Sequence, residues 1–127
     1  MRILLDTCTF LWAISGVPLG PRATELFRSP ANDVYLSAVS GCEIAMKYSM
    51  KRLDLAEPPE RLIPEQRLKH GVEMLALDED SALHVARLPW LHKDPFDRLL
   101  VAQAIVHGMT ILTPDAHITQ YPARTIW

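Results

Sequence analysis

Lys93-Asp94-Pro95-Phe96-Asp97-Arg98-Leu99-Leu100-Val101-Ala102-Gln103-Ala104-Ile105-Val106-His107 reads as a core helix that carries acid at its mouth. Asp94 suits the N-cap, Pro95 the first helical position, where no N–H is needed, and Asp97 the first turn, where the helix dipole favours negative charge. Gly108 is a stop signal. Between these ends Phe96, Leu99, Leu100, Val101, Ala102, Ala104, Ile105 and Val106 leave little polar face, so the helix should be packed on more than one side. Capping accounts for Asp94. Asp97 needs the rest of the chain before it can be judged.

Downstream, Met109 to Thr113 reads as a strand broken by Pro114-Asp115, followed by a turn through His117 and Ile118 and a last strand near Thr125 to Trp127. Upstream, Ile3-Leu4-Leu5 is too short for a helix and reads as a buried strand ending at Asp6. A helical segment from Thr7 to Ile14 follows, stopped by Ser15-Gly16, and then a short helix from Arg22 to Arg28 with Pro21 at its first position. Asp33 to Ser37 is the next strand. Ser40 and Glu43 match the S-x-x-E capping box at the start of a helix running to about Lys51. Pro59 to Lys69 reads as helical with a break or restart at Pro64, Val72 to Leu77 as a third strand, and Asp78 to Leu88 as a helix capped by Asp78 or Asp80. Strands alternating with helices predict βαβ units, right-handed crossovers and a mostly parallel sheet. In such sheets ligands sit beyond the carboxyl ends of the strands.

The composition sets the frame. A chain of 127 residues, 49% of them hydrophobic, fits one domain over residues 1–127 that buries a core without disulfides or metal staples. With no leader-like N-terminus and no apolar run near the ~18 residues that span a bilayer, it reads as soluble, cytoplasmic and without membrane contact. Cys8 and Cys42 lack a C-x-x-C spacing and read as two reduced, partly buried thiols. A net charge of −2 exerts no global pull on nucleic acid, so any such contact is local. Lys47, Lys51, Arg52, Lys93 and Arg98 are the candidates, each equally well read as a solvated or ion-paired side chain.

Asp6 follows the first strand, Glu43 lies in the first turn of the helix after the second, Asp97 opens the long helix, and Asp115 directly follows the fourth strand. Each alone has a local role as a cap or turn residue. Scattered caps account poorly for Asp6, which closes a hydrophobic strand. If the four converge, two carboxylates ~4 Å apart repel by about 4 kcal/mol at an effective dielectric near 20. Such a cluster needs a cation or shared protons. All-oxygen ligands suit Mg²⁺ or Mn²⁺, and a hard dication among carboxylates suggests phosphodiester hydrolysis.

The segments Leu4 to Trp12, Ser37 to Lys47, Leu88 to Ala104 and Ile111 to Asp115, taken together and in this order, resemble the PIN domain, specifically the ribonuclease toxins of VapC-type toxin–antitoxin modules. The resemblance implies a three-layer α/β/α sandwich with a short, mostly parallel sheet, and Mg²⁺- or Mn²⁺-dependent endoribonuclease activity on RNA. It also implies a homodimer and inhibition by a small cognate antitoxin. Asp6, Glu43, Asp97 and Asp115 match the family's four acidic metal positions, Asp94 is an extra acid, and Thr7 and Thr113 match small hydroxyl positions. Cys8 stands where relatives with this N-terminal segment often carry His.

On this reading Asp6, Glu43 and Asp97 hold the metal and Asp115 completes the shell or binds a second ion, with no separate histidine base. His92 and His107 are given no catalytic role. Trp12, Trp90, Tyr35 and Phe96 read as core or interface residues, and Trp12 with the Ile44, Met46, Tyr48 and Met50 region as an apolar surface for a dimer or antitoxin. Two rivals stand beside it. One is a non-catalytic partner-binding protein whose acids are caps. The other is a phosphatase with Asp6 as nucleophile, against which Cys8 occupies the place of the expected second acid. A metal-dependent DNase uses the same residues.

Overall fold

Ile3, Leu4 and Leu5 are fully buried because their strand is the middle of a sheet. A computed structural model describes residues 1–127. In chain order its elements are β1 (Arg2–Leu5), α1 (Thr7–Ser15), α2 (Pro21–Arg28), β2 (Asp33–Ser37), α3 (Ala38–Ser49), α4 (Pro59–His70), β3 (Val72–Leu75), α5 (Glu79–His84), a 3-10 turn (Val85–Arg87), α6 (Pro95–His107), β4 (Thr110–Leu112), α7 (Ala116–Thr119) and β5 (Thr125–Ile126). The five strands lie in the order β3-β2-β1-β4-β5, and every pairing is parallel.

Alternation along each strand sends successive side chains to opposite faces and so builds two cores. Leu4 and Ile111 pack with Leu100, Val101 and Ala104 of α6. Ile3, Leu5 and Leu112 pack with Phe10 of α1, Ala23 of α2 and Ile44 of α3. The result is the three-layer α/β/α sandwich. The organising helix is as expected at its ends: the Asp94 carboxylate accepts from the N–H groups of Phe96 and Asp97, Pro95 is the first helical residue, and Gly108 closes the helix in the left-handed conformation. Its wall is less uniform than its apolar composition suggested. Val106 is exposed, while the polar Arg98 and Gln103 are buried.

Four local expectations are corrected. Helix α4 runs through Pro64 without a break. Pro64 and Glu60, whose carbonyl loses its partner, are both exposed, so water can satisfy that oxygen. The capping box at Ser40 and Glu43 does not form: α3 starts earlier, with the Ser37 hydroxyl as cap accepting from Val39 N–H at 3.0 Å. The helix expected over 78–88 is α helix only to His84 and then tightens into the 3-10 turn before Pro89. Cys8 and Cys42 are exposed free thiols, not partly buried ones.

Trp127 closes the second core edge-on to Trp12, with ring centroids 5.7 Å apart. It also covers Gly20, where an added Cβ would lie 2.6 Å from the Trp127 carbonyl carbon and from its Cδ1. Gly20→Ala should therefore cost ~1–3 kcal/mol by overpacking, measured as a lower urea midpoint with unchanged slope.

Candidate functional site

The connection order reverses at β1: β2 and β3 extend the sheet on one side, β4 and β5 on the other. The carboxyl ends of β1 and β4 therefore flank a switch point, where an open parallel sheet leaves a crevice. Asp6 immediately follows β1, and Thr113-Pro114-Asp115 immediately follow β4. The register pairs Leu5 with Leu112, which brings the two exits side by side.

Asp6 is 3% exposed. It stands at the N-cap of α1, yet its carboxylate makes no capping bond. Instead Asp6 Oδ2 accepts from Thr113 Oγ1 at 2.7 Å, and the same Thr113 oxygen accepts from Asp115 N–H at 3.0 Å. Burial pushes the Asp6 carboxyl up to about 6, and the charges of Asp97 and Asp115 push the same way against the Thr113 hydrogen bond. Asp97 is raised too, first by burial and then by Asp94 and Asp115, with its hydrogen bond to His92 opposing. These three carboxylates thus lie close enough to act on one another.

With α3 beginning at Ala38, Glu43 falls in its second turn and is 6% exposed. Lys47 Nζ lies 2.6 Å from Glu43 Oε2, and this hydrogen bond is the main reason the lysine is held above its ordinary value. Glu43 Oε1 is buried with no hydrogen-bond partner. Cys8 ties Glu43 to the other acids: burial first, then the charges of Asp6 and Glu43, push its thiol up to about 11. Thr7 Oγ1 donates to Ser40 Oγ at 2.8 Å, joining the start of α1 to α3.

All four acids named from the sequence therefore lie about the switch point at the carboxyl edge of the sheet, but no three of them are arranged to hold a metal ion. Three are turned toward cationic or polar partners: Glu43 to Lys47, Asp97 to His92, and Asp115 to its own N-terminal turn at His117. A buried carboxyl at an unfavourable charge, an orphaned carboxylate oxygen and an all-oxygen donor set fit a hard dication better than they fit a set of helix caps.

Arg98 sits differently from its sequence reading, and His92 gains a contact that the sequence did not announce. Arg98, a candidate for phosphate, is 2% exposed and faces inward. Its guanidinium donates to the carbonyls of Pro89 and Val85 and to Tyr121 Oη. It also lies 4.0 Å from the Trp90 ring centroid, and Trp90, expected in a core or interface, is 79% exposed. His92, given no role, contacts Asp97 at 3.0 Å. Its other ring nitrogen is held by Tyr121, 29 residues away, so no local pattern announces the arrangement. Met46, Tyr48 and Met50 are exposed, whereas Ile44 belongs to the core.

A parallel α/β/α sandwich with four carboxylates about its switch point defines the class: an α/β protein with an acidic cluster at the carboxyl edge of its sheet. Within that class the chain belongs to the PIN domain family, whose profile matches residues 3–123. A curated relative, ribonuclease VapC22 of Mycobacterium tuberculosis, is 27% identical over 121 residues, covering 94% of this chain and 91% of that protein. Among solved structures, VapBC2 from Rickettsia felis, bound to a DNA fragment from its promoter, is similar with a TM-score of 0.74 at 16% identity, covering 99% of this chain and 98% of that one. DNA-bound VapBC from Salmonella typhimurium gives 0.69 at 20% identity, covering 99% and 97%. No helix is long and apolar enough to cross a membrane.

Proposed function

We propose that this protein is a divalent-metal-dependent endoribonuclease of the VapC type, the toxin of a toxin–antitoxin pair, acting as one domain over residues 1–127. The observation that carries the reading is the electrostatics of the crevice. Asp6 is buried beside Asp97 and Asp115 at a charge it resists, and Glu43 Oε1 is buried with nothing to bind. A cation resolves both, and hard oxygen donors select Mg²⁺ or Mn²⁺. The likeness to a ribonuclease VapC over nearly the whole of both chains supports RNA as the substrate. The likeness to VapBC complexes supports a cognate antitoxin as partner, and a homodimer is consistent with both.

In this mechanism Asp6, Glu43, Asp97 and Asp115 would hold the ion. The chemistry it would supply there is a more acidic water and relief of charge on the leaving oxygen. The chain's own residues do the positioning. Thr113 fixes one oxygen of Asp6 and, through Asp115 N–H, the start of the β4 exit loop. Lys47 holds one oxygen of Glu43 and leaves Oε1 for the ion. Lys93 is exposed beside Asp94 and is a free cation for the RNA backbone next to the acids, where Arg98 is buried and Lys47 is engaged.

Purified protein incubated with defined RNA oligonucleotides should cut in Mg²⁺ or Mn²⁺, stop in excess chelator and recover on adding Mn²⁺. Asp97→Asn should cut at background. Chelator-insensitive cleavage, or full activity of Asp97→Asn, defeats the reading. Equal cleavage of the matching DNA would reassign the substrate and keep the metal chemistry.

A further inference from the structure

His92 is held at both ring nitrogens. Nε2 lies 3.0 Å from Asp97 Oδ2, and Nδ1 lies 2.7 Å from Tyr121 Oη. Tyr121 Oη in turn lies 3.0 Å from Arg98 Nη1. Arginine has only donors, so the tyrosine oxygen accepts there and its single proton is left for His92 Nδ1. The Asp97 carboxylate only accepts, so Nε2 carries a proton that is donated to it, and the tyrosine proton is available to Nδ1. The hydrogen bonds run in one direction, Arg98 to Tyr121 to His92 to Asp97.

The ring is also held by its faces. His117 stacks on His92 with centroids 5.4 Å apart and planes 16° from parallel, and the Tyr121 ring packs against it at 5.4 Å and 58°. His117 itself contacts Asp115 Oδ1 through Nδ1 at 3.2 Å. Two stacked imidazoles therefore each hold one carboxylate of the crevice. Their contact links the side chains that hold Asp97 and Asp115.

We propose that His92, held through Nδ1 by Tyr121 and hydrogen-bonded through Nε2 to Asp97 Oδ2, is the positioning residue that orients Asp97, a residue that would hold the metal. This inference rests on the metal-dependent reading above. Partners of this kind, hydrogen-bonded to a ligand but not to the metal, change metal affinity by about 10–100-fold when removed. Residues distant in sequence thus reach the pocket through one imidazole.

Mn²⁺ titration of the metal-stripped full chain by calorimetry tests it without RNA. His92→Ala should weaken Mn²⁺ binding by about 10-fold or more. His92→Gln, whose amide N–H can replace the Nε2 donor, should recover most of that loss. In an Asp97→Asn background His92→Ala should add nothing, because its route to the ion is already gone. Unchanged affinity in His92→Ala, or the same loss with and without Asp97, overturns the proposal. Absence of Mn²⁺ binding by the wild type instead overturns the metal reading on which it rests.

Long-range ¹H–¹⁵N spectra of the metal-free wild type should show His92 protonated at Nε2. An Nδ1–H tautomer in the wild type overturns the proposal whatever the metal does. Should His92→Ala fail to melt cooperatively, His92→Gln and Tyr121→Phe still decide it: Tyr121→Phe, which frees Nδ1, should weaken Mn²⁺ binding, and unchanged affinity is the contrary result.

Discussion

Asp6→Asn is expected to abolish RNA cleavage and, in the metal-free protein, to raise stability. The two effects have one cause. Burial first, and then the charges of Asp97 and Asp115, lift the folded-state Asp6 carboxyl from 3.8 to about 6 against the hydrogen bond from Thr113. Between those values the native chain holds a proton that the unfolded chain has released, so native stability falls as pH rises through the window. Below it both states are protonated and nothing is lost. Above it the ionised carboxylate costs the native state about 3 kcal/mol. Asparagine keeps an acceptor for Thr113 Oγ1 and cannot ionise.

At pH 7.5 in chelator, Asp6→Asn should therefore unfold later than the wild type, by up to about 3 kcal/mol or roughly 10 °C in melting temperature. The difference should vanish near pH 4. Adding Mn²⁺ should reverse the ranking, because an ion that binds only the folded wild type stabilises it by mass action. Cleavage should fall on the order of 10²–10³-fold or more, the scale for losing a charge preorganised for the transition state. Thermal melts at the two pH values, with and without metal, read the result. A variant less stable than the wild type at pH 7.5 would make Asp6 a structural residue and return the acids to capping roles.

That experiment also marks how far the sequence could be read. Strand positions were legible because a run as short and apolar as Ile3-Leu4-Leu5 has few places to go, and α6 was legible because its signals are local: Asp94 as cap, Pro95 at the first turn, Gly108 at the end. The acids were legible because each falls at a strand exit or an early helical turn, and the parallel sheet carries all such positions to one edge. Glu43 was nearly lost to a false local pattern. Its capping box with Ser40 is plausible until Ser37 takes the cap and sends Ser40 to Thr7. What could not be read was any role decided by a distant partner. His92 depends on Tyr121, and Lys93 and Arg98 look equally basic in sequence although only one of them reaches solvent.

Arg98 carries the second large effect. Its guanidinium is enclosed with no carboxylate within ion-pairing reach, and it is held by the carbonyl oxygens of Pro89 at 2.8 Å and Val85 at 3.3 Å, by Tyr121 Oη at 3.0 Å, and by the Trp90 ring 4.0 Å away. These partners belong to the 3-10 turn, the loop before α6 and the segment after α7, so one side chain joins three pieces of chain that have little regular structure of their own. Arg98→Ala removes the cation and strands two carbonyls and a hydroxyl, each costing ~1–3 kcal/mol if left unpaired. Partial rehydration of the Pro89 loop, which is exposed, lowers the sum, and a net loss of about 3–4 kcal/mol is expected. Arg98→Lys keeps the charge but cannot serve the three oxygens at once, and should lose about 2 kcal/mol. Urea unfolding gives the stabilities, and Trp90 fluorescence shows whether the indole is released. Because Arg98 also fixes the direction of the Tyr121 hydrogen bond, Arg98→Lys should weaken Mn²⁺ binding even at temperatures where the variant is fully folded. An Arg98→Ala protein as stable as the wild type would mean that the guanidinium is not enclosed in solution, and would restore it as a candidate for contact with the RNA backbone.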